Sequence, residues 1–123
     1  MATFIKYISF YFRKSLMNIF YVDDDPQKAA KALCDVHVIK MIVESAQLLC
    51  AAHHILGEHK YPELYQLTHR NHPCTKWVCI NTANYDWLYD HFVSLLDEYT
   101  YRYGKIHATT KVKRILNHRP VYL

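Results

Sequence analysis

The sequence predicts a single all-α domain of four or five helices around a central polar-striped helix. Three observations lead there. Only two glycines occur in 123 residues. Long stretches repeat their apolar residues at helical spacing. Proline stands twice where a helix would begin, at Asp25-Pro26 and His72-Pro73. With 51% hydrophobic and 21% charged residues the chain can build one core and is not a disordered composition. The domain is expected over residues 17–123, ending in a basic C-terminal tail. Residues 1–16 read as an N-terminal extension, with Met17 as an alternative start.

Taken in order, NIFYV (Asn18–Val22) is a short strand or an extended entry. DDDP then starts a helix, with carboxylate at the N-cap and proline in the first turn. The helical pattern runs to about Leu56, where Gly57 fits a C-cap. A break is expected near Cys34–Asp35, with Asp35 capping the second piece. Residues 57–72 form a polar, histidine-rich connection with a helical turn at Pro62–Leu67. Pro73 opens a short helix, CTKWVCI. The chain re-caps at Asn81–Asn84, and a long helix runs from Thr82 to Tyr103, stopped by Gly104. Thr109 or Thr110 caps a last basic helix, TKVKRIL, before Pro120.

The net charge of +4 is unevenly placed. Residues 1–16 carry Lys6, Arg13 and Lys14 and no acid. Residues 105–123 carry Lys105, Lys111, Lys113, Arg114 and Arg119 and no acid. The body between them is acidic on balance, so attraction to nucleic acid is expected chiefly from the ends. No apolar run reaches the ~18 residues of a membrane span, so no membrane contact is expected. The start lacks the order of a signal peptide. The four cysteines form no CxxC pair and read as free thiols of a reducing, intracellular compartment. The sequence fixes no oligomeric state.

The helix over residues 36–55 carries the main candidate site. His37, Lys40, Glu44, Gln47 and His54 fall within roughly a 100° arc of a helical wheel. The rest of the circumference is apolar apart from Ser45 and His53. A helix apolar around most of its girth is a central one. Its polar stripe must face a cleft or find partners, because unpaired buried charge is costly. The bland alternative is a narrow solvent face with Lys40–Glu44 as an i,i+4 pair.

On the helix from Asn84, Leu88, Phe92, Leu95 and Tyr99 make the apolar face, and Asp86, Asp90 and Asp97 the solvated one. His91, Glu98 and Arg102 sit at the edge of the apolar face. Facing the stripe, they would bring His37, Lys40, Glu44, Gln47, His91, Glu98 and Arg102 to one pocket. It would hold a base (His37 or Glu44), an amine nucleophile (Lys40) and an anion binder (Arg102). The alternative for Glu98 and Arg102 is a structural i,i+4 ion pair. Arg70, Asn71 and His72, at the entrance of the Pro73 helix, are candidates to hold a phosphate or carboxylate. They could equally be polar caps.

No cofactor is predicted, and no metal. Nine histidines are many, yet His37 and Glu44 are two turns apart, His53 and His54 diverge, and no HExxH occurs.

The runs MNIFYVDDDP, CDVHVIKMIVESAQLL, RNHPCTKWV, NYDWL and DEYTYRYGK with a following histidine carry a resemblance. They are similar to a family of small uncharacterised proteins encoded by large DNA phages and algal viruses. The order of polar-striped helix with E-x-x-Q, then N-H-P before a helix, then D/E-aromatic-x-x-R-x-G at a helix end resembles, more weakly, pyrimidine-dimer DNA glycosylases. That second resemblance implies a helical enzyme that excises damaged bases and nicks the backbone through an imine. The imine forms on an N-terminal threonine amine, helped by a carboxylate and arginines. It assigns Glu44 to the carboxylate and Arg102 or Arg70 to phosphate contacts. This chain begins Met-Ala, or Met-Asn from Met17, so Lys40 is the substitute amine.

The expected function is therefore that of a viral protein acting on nucleic acid or nucleotide, of glycosylase/lyase type. It would work in the cytoplasm or nucleus of an infected cell. His37, Lys40 and Glu44 would be catalytic; Gln47, Arg70, His72, His91, Glu98 and Arg102 would bind substrate. Tyr99, Tyr101 and Tyr103 would offer stacking surfaces for a flipped base. Two rivals stand beside it. One is a non-catalytic viral accessory protein whose stripe is a structural polar network. The other is a small metal-dependent hydrolase using His37, Glu44 and His91.

Overall fold

A computed structural model describes residues 19–58 and 61–123. The N-terminal segment 1–16 and Met17 lie outside the described residues. The chain is all-α, with helices α1 (Pro26–Lys31), α2 (Asp35–Leu56), α3 (Pro73–Val78), α4 (Thr82–Tyr103) and α5 (Lys113–Leu116). A 3-10 helix, Ala108–Val112, leads directly into α5. Among the described residues there is no strand, and no helix is long and apolar enough to cross a membrane.

Local chemistry explains the boundaries. The Asp25 carboxylate accepts the N–H groups of Gln27 and Lys28, and Pro26 fills the first position of α1. The break before α2 occurs as the sequence suggests, but Cys34 is the N-cap and Asp35 lies in the first turn. There Asp35 meets the positive end of the helix and the Arg102 guanidinium. Ile19–Val22 is an irregular arm, and among the described residues there is no strand for it to pair with. Asn81 caps α4 by accepting the Asn84 N–H at 2.8 Å. Gly104 ends α4 at φ +66°, where a side chain would be strained. Gly57 ends α2 for another reason: a Cβ there would lie 2.3 Å from the His53 carbonyl oxygen.

The last helical segment departs from expectation. His107 caps the 3-10 helix, with Nδ1 accepting the Thr109 N–H at 3.1 Å, and α5 follows from Val112 without a side-chain cap. The Thr109 hydroxyl is engaged instead with the Tyr65 phenol at 2.8 Å. The basic segment packs back onto the domain, and Val112 and Leu116 are completely buried.

α2 and α4 are the long antiparallel pair at the centre. His53 meets Tyr85 at one end, and Arg102 meets Asp35 at the other. Between them lie Ile42, Leu49, Leu88, Phe92 and Leu95, all fully buried. Each such side chain contributes about 1.5–3 kcal/mol by leaving water. α1 lies along α4, and α3 against α2.

Candidate active site

The polar stripe of α2 is not a solvent face. Lys40 is exposed, but His37, Gln47 and His54 are half-buried and Glu44 is only 6% exposed. Irregular segments lie against it. The arm puts Phe20 on the His37 ring, stacked at 4.8 Å. At the other end His54 donates Nε2–H to the Tyr65 carbonyl at 2.8 Å. Irregular backbone carries groups that no helix or sheet ladder satisfies, so a helix face covered by it must offer polar side chains. Among the described residues, Lys40 and Glu44 do not form an ion pair.

Glu44 sits where three elements meet. Cys74, in the first turn of α3, is completely buried, and burial pushes its thiol up to about 11. A hydrogen bond with the Ile19 backbone pulls the other way, and the charge of Glu44 adds to the rise. The arm, the start of α3 and the Glu44 carboxylate therefore share one neighbourhood. A buried carboxylate beside a thiol and an irregular stretch of backbone is a group that can hold or pass a proton out of bulk water.

The approach to α3 is a fixed turn. His69 has φ +52°, a strained value for a side-chain-bearing residue. Its carbonyl accepts the Thr75 hydroxyl and the His72 N–H, each at 2.9 Å. His72 Nδ1 accepts the Cys74 N–H at 3.0 Å. The ring is therefore neutral with its proton on Nε2. Burial and the neighbouring His69 push its pKa down. This geometry leaves Arg70 and Asn71 exposed at the tip of the turn. Arg70 is close enough to the Cys79 thiol to oppose the rise that burial causes there.

His91, Glu98 and Arg102 do not join this group, because α1 occupies the space beside α4 that they face. His91 is 1% exposed and donates Nδ1–H to the Pro26 carbonyl. Arg102 donates Nε–H to Glu98 at 3.0 Å, and Nη1–H to the Leu33 carbonyl and to Asp35. Nη2 reaches the Lys31 carbonyl at 3.3 Å. These three side chains bind α1 and the α1–α2 turn to α4. The single pocket expected to gather seven residues is thus divided: His37, Lys40, Glu44 and Gln47 lie on α2, and the rest meet α1. His37, Glu44 and His91 do not converge, and among the described residues no group of three or more His, Cys, Asp or Glu could hold a metal ion.

Several residues of the site carried no sequence signal of their own. Trp87 stacks on Tyr21 at 4.3 Å and on His91 at 4.8 Å, and donates Nε1–H to the Asp24 carbonyl. It ties the arm to α4. Only the pairing of aromatics in the arm with a tryptophan one turn before His91 hinted at this. Of the three tyrosines, Tyr101 is 85% exposed, whereas Tyr99 is half-buried among Tyr103 and His107.

The sequence matches the pyrimidine dimer DNA glycosylase family over residues 17–112, most of the chain. It belongs to that family. No curated protein and no solved structure matches the chain. The matched region of this glycosylase-family member begins two residues before Ile19, at the arm that reaches the Glu44 neighbourhood. It contains Lys40, Glu44, the His69–His72 turn and Lys111, and ends within the 3-10 helix.

Proposed function

We propose that this protein excises damaged pyrimidines from DNA, with Glu44 as the acid/base group and a nearby amine as the nucleophile. The observation that carries the reading is a buried carboxylate in the central helix, at the meeting of arm, α2 and α3, within the family-matched region. The amine nitrogen attacks C1′ of the damaged nucleoside, and the bond from C1′ to the base breaks with its electron pair leaving on the base. The base takes up a proton. The amine loses its protons as the sugar ring opens and the imine forms. Loss of the C2′ proton to Glu44 then expels the 3′ phosphate.

Two amines fit. Lys40 is exposed, one turn before Glu44 on the same stripe. A terminal amine opened at residue 17 or 18 would start beside Ile19, whose backbone lies at Cys74 in the Glu44 neighbourhood. Arg70 and Asn71, held outward by the strained turn, are the phosphate or base contacts. Tyr101 is the accessible stacking surface.

The test uses duplexes carrying a pyrimidine dimer or an abasic site, with borohydride present. Release of the base and a reduced covalent adduct are expected, both lost in Glu44→Gln. Peptide mapping of the adduct names the amine. No excision of dimers and no adduct with abasic DNA would remove the reading.

The accessory-protein reading has one observation in its favour. Arg102, Glu98 and His91 are fully engaged in holding helices together. An intact fold with no reaction on either duplex would select it.

A further inference from the structure

Charge is divided between two sides of the described residues. The outer face of α4 is acidic. Asp90 and Asp97 are exposed there, and burial together with the neighbouring Asp86 pushes the Asp90 carboxyl up. Arg119 turns toward this face and holds Asp86 with both arms of its guanidinium. The acidic arm residues Asp23–Asp25 join the same helix through the Trp87 bond to Asp24. Two broad hollows border α4, one lined by Lys31, Asp97 and Glu98, the other by Asp86, Asp90 and Arg119. In each the carboxylates outnumber the cation, which disfavours a polyanion.

Exposed basic groups also stand around α2 and α3. Lys40 is exposed at one end of the stripe, Lys76 is exposed on α3, which packs against α2, and Arg70 is exposed on the turn leading into α3. At the far end a chain of contacts fixes another cation. His54 donates to the Tyr65 carbonyl, the Tyr65 phenol bonds the Thr109 hydroxyl, and Lys111 Nζ lies 5.6 Å above the Tyr65 ring. Lys111 is exposed, and it takes part in none of the ion pairs among the described residues. A lysine poised over an aromatic face keeps its charge toward water and gives up little conformational freedom on meeting a phosphate. The turns from Lys40 to His54 span about 21 Å at a rise of about 1.5 Å per residue. That length matches about six base steps of one strand of B-DNA, at about 3.4 Å each.

We infer that a DNA strand runs parallel to α2, over the segments that cover its stripe, from Lys40 to Lys111 with Arg70 between them, and that Tyr65 is the positioning residue that holds Lys111 as the distal phosphate contact. The inference rests on the DNA reading above and extends it from the Glu44 neighbourhood to a backbone track. Phosphate contact at Lys111 carries no sequence information, so it adds affinity equally for damaged and intact duplex.

The experiment is fluorescence anisotropy of labelled, undamaged duplexes of two unrelated sequences, titrated with the full chain at several salt concentrations. Lys111→Gln is expected to weaken binding several-fold on both sequences. It should also reduce the slope of log affinity against log salt by about 0.9. Tyr65→Leu should weaken binding although no charge is lost, and Tyr65→Phe, which keeps the ring, should largely restore it. Lys31→Gln, a charge removed beside Asp97 and Glu98, should leave the slope unchanged. An unchanged slope in Lys111→Gln, with wild-type excision intact, overturns the track alone. The same holds if Lys31→Gln lowers the slope as much. A wild type that binds neither duplex overturns the track together with the DNA reading beneath it.

Discussion

His91 donates its Nδ1–H to the Pro26 carbonyl at 3.0 Å, fixing the first turn of α1 to the middle of α4. A carbonyl only accepts, so the bond sets the tautomer. Burial pushes the His91 pKa down to about 4, against a smaller upward pull from this bond.

Acid should therefore loosen the protein. Between about pH 6.5 and pH 4 the unfolded chain binds a proton at His91 that the folded chain refuses, so stability falls as pH drops through that window and is fully present above it. The loss across the window is on the order of a few kcal/mol. Burial lowers His53, His72 and His107 in the same direction. Urea unfolding at several pH values checks this. His91→Asn keeps an N–H for Pro26 without a titrating ring and should flatten the slope; an unchanged slope rules His91 out as its source.

Arg102 joins the α1–α2 turn to α4 by bonds to two carbonyls and two carboxylates. Lysine cannot reproduce that fork. Arg102→Lys is expected to lower unfolding stability by about 1–3 kcal/mol. Asp35→Ala, at a carboxylate 69% exposed, should cost under about 1 kcal/mol. Equal losses in the two variants would mean that the carbonyl bonds contribute little.

Lys40 and Glu44 are one turn apart and differ sharply in exposure. Thermal unfolding of Lys40→Met should stay within about 0.5 kcal/mol of wild type, as for other surface changes. Glu44→Gln should abolish excision with the fold retained by circular dichroism. Full excision by Glu44→Gln would remove the carboxylate from the mechanism.

The cysteines should react in order of exposure. Cys34 is exposed, whereas burial pushes Cys50 and Cys74 each up to about 11. A maleimide at pH 7 should label Cys34 first and leave Cys50 and Cys74 intact until urea unfolds the chain. Early labelling of Cys74 would show the arm leaving Ile19's place.

Helix positions were legible because caps and period are local chemistry. Asp25, Pro26, Pro73, Asn81 and Gly104 each act on the residues beside them. The faces of α2 and α4 were legible for the same reason. Which neighbour each face meets was not. The wheel placed His91, Glu98 and Arg102 at the edge of the core, but periodicity carries no sign that α1 fills the space beside them. Glu44 stood out in the sequence as a carboxylate on a mostly apolar helix. Its company of Ile19 and Cys74 comes from segments distant in the chain, which no local pattern encodes. The Lys111–Tyr65 contact is hidden likewise, since it depends on Tyr65 lying against His54 of α2.

The Tyr85 hydroxyl donates to the Leu116 carbonyl at 2.7 Å and accepts from His53. Val112 and Leu116 fill core space between helices made far earlier in the chain. During synthesis, α2 and α4 leave the ribosome while that space is still open and those polar groups still lack their acceptor. A nascent chain halted at Gly104 would carry both long helices and still expose the inner surface between them. The segment after Gly104 closes the domain, so the two long helices complete their packing only once that segment has emerged.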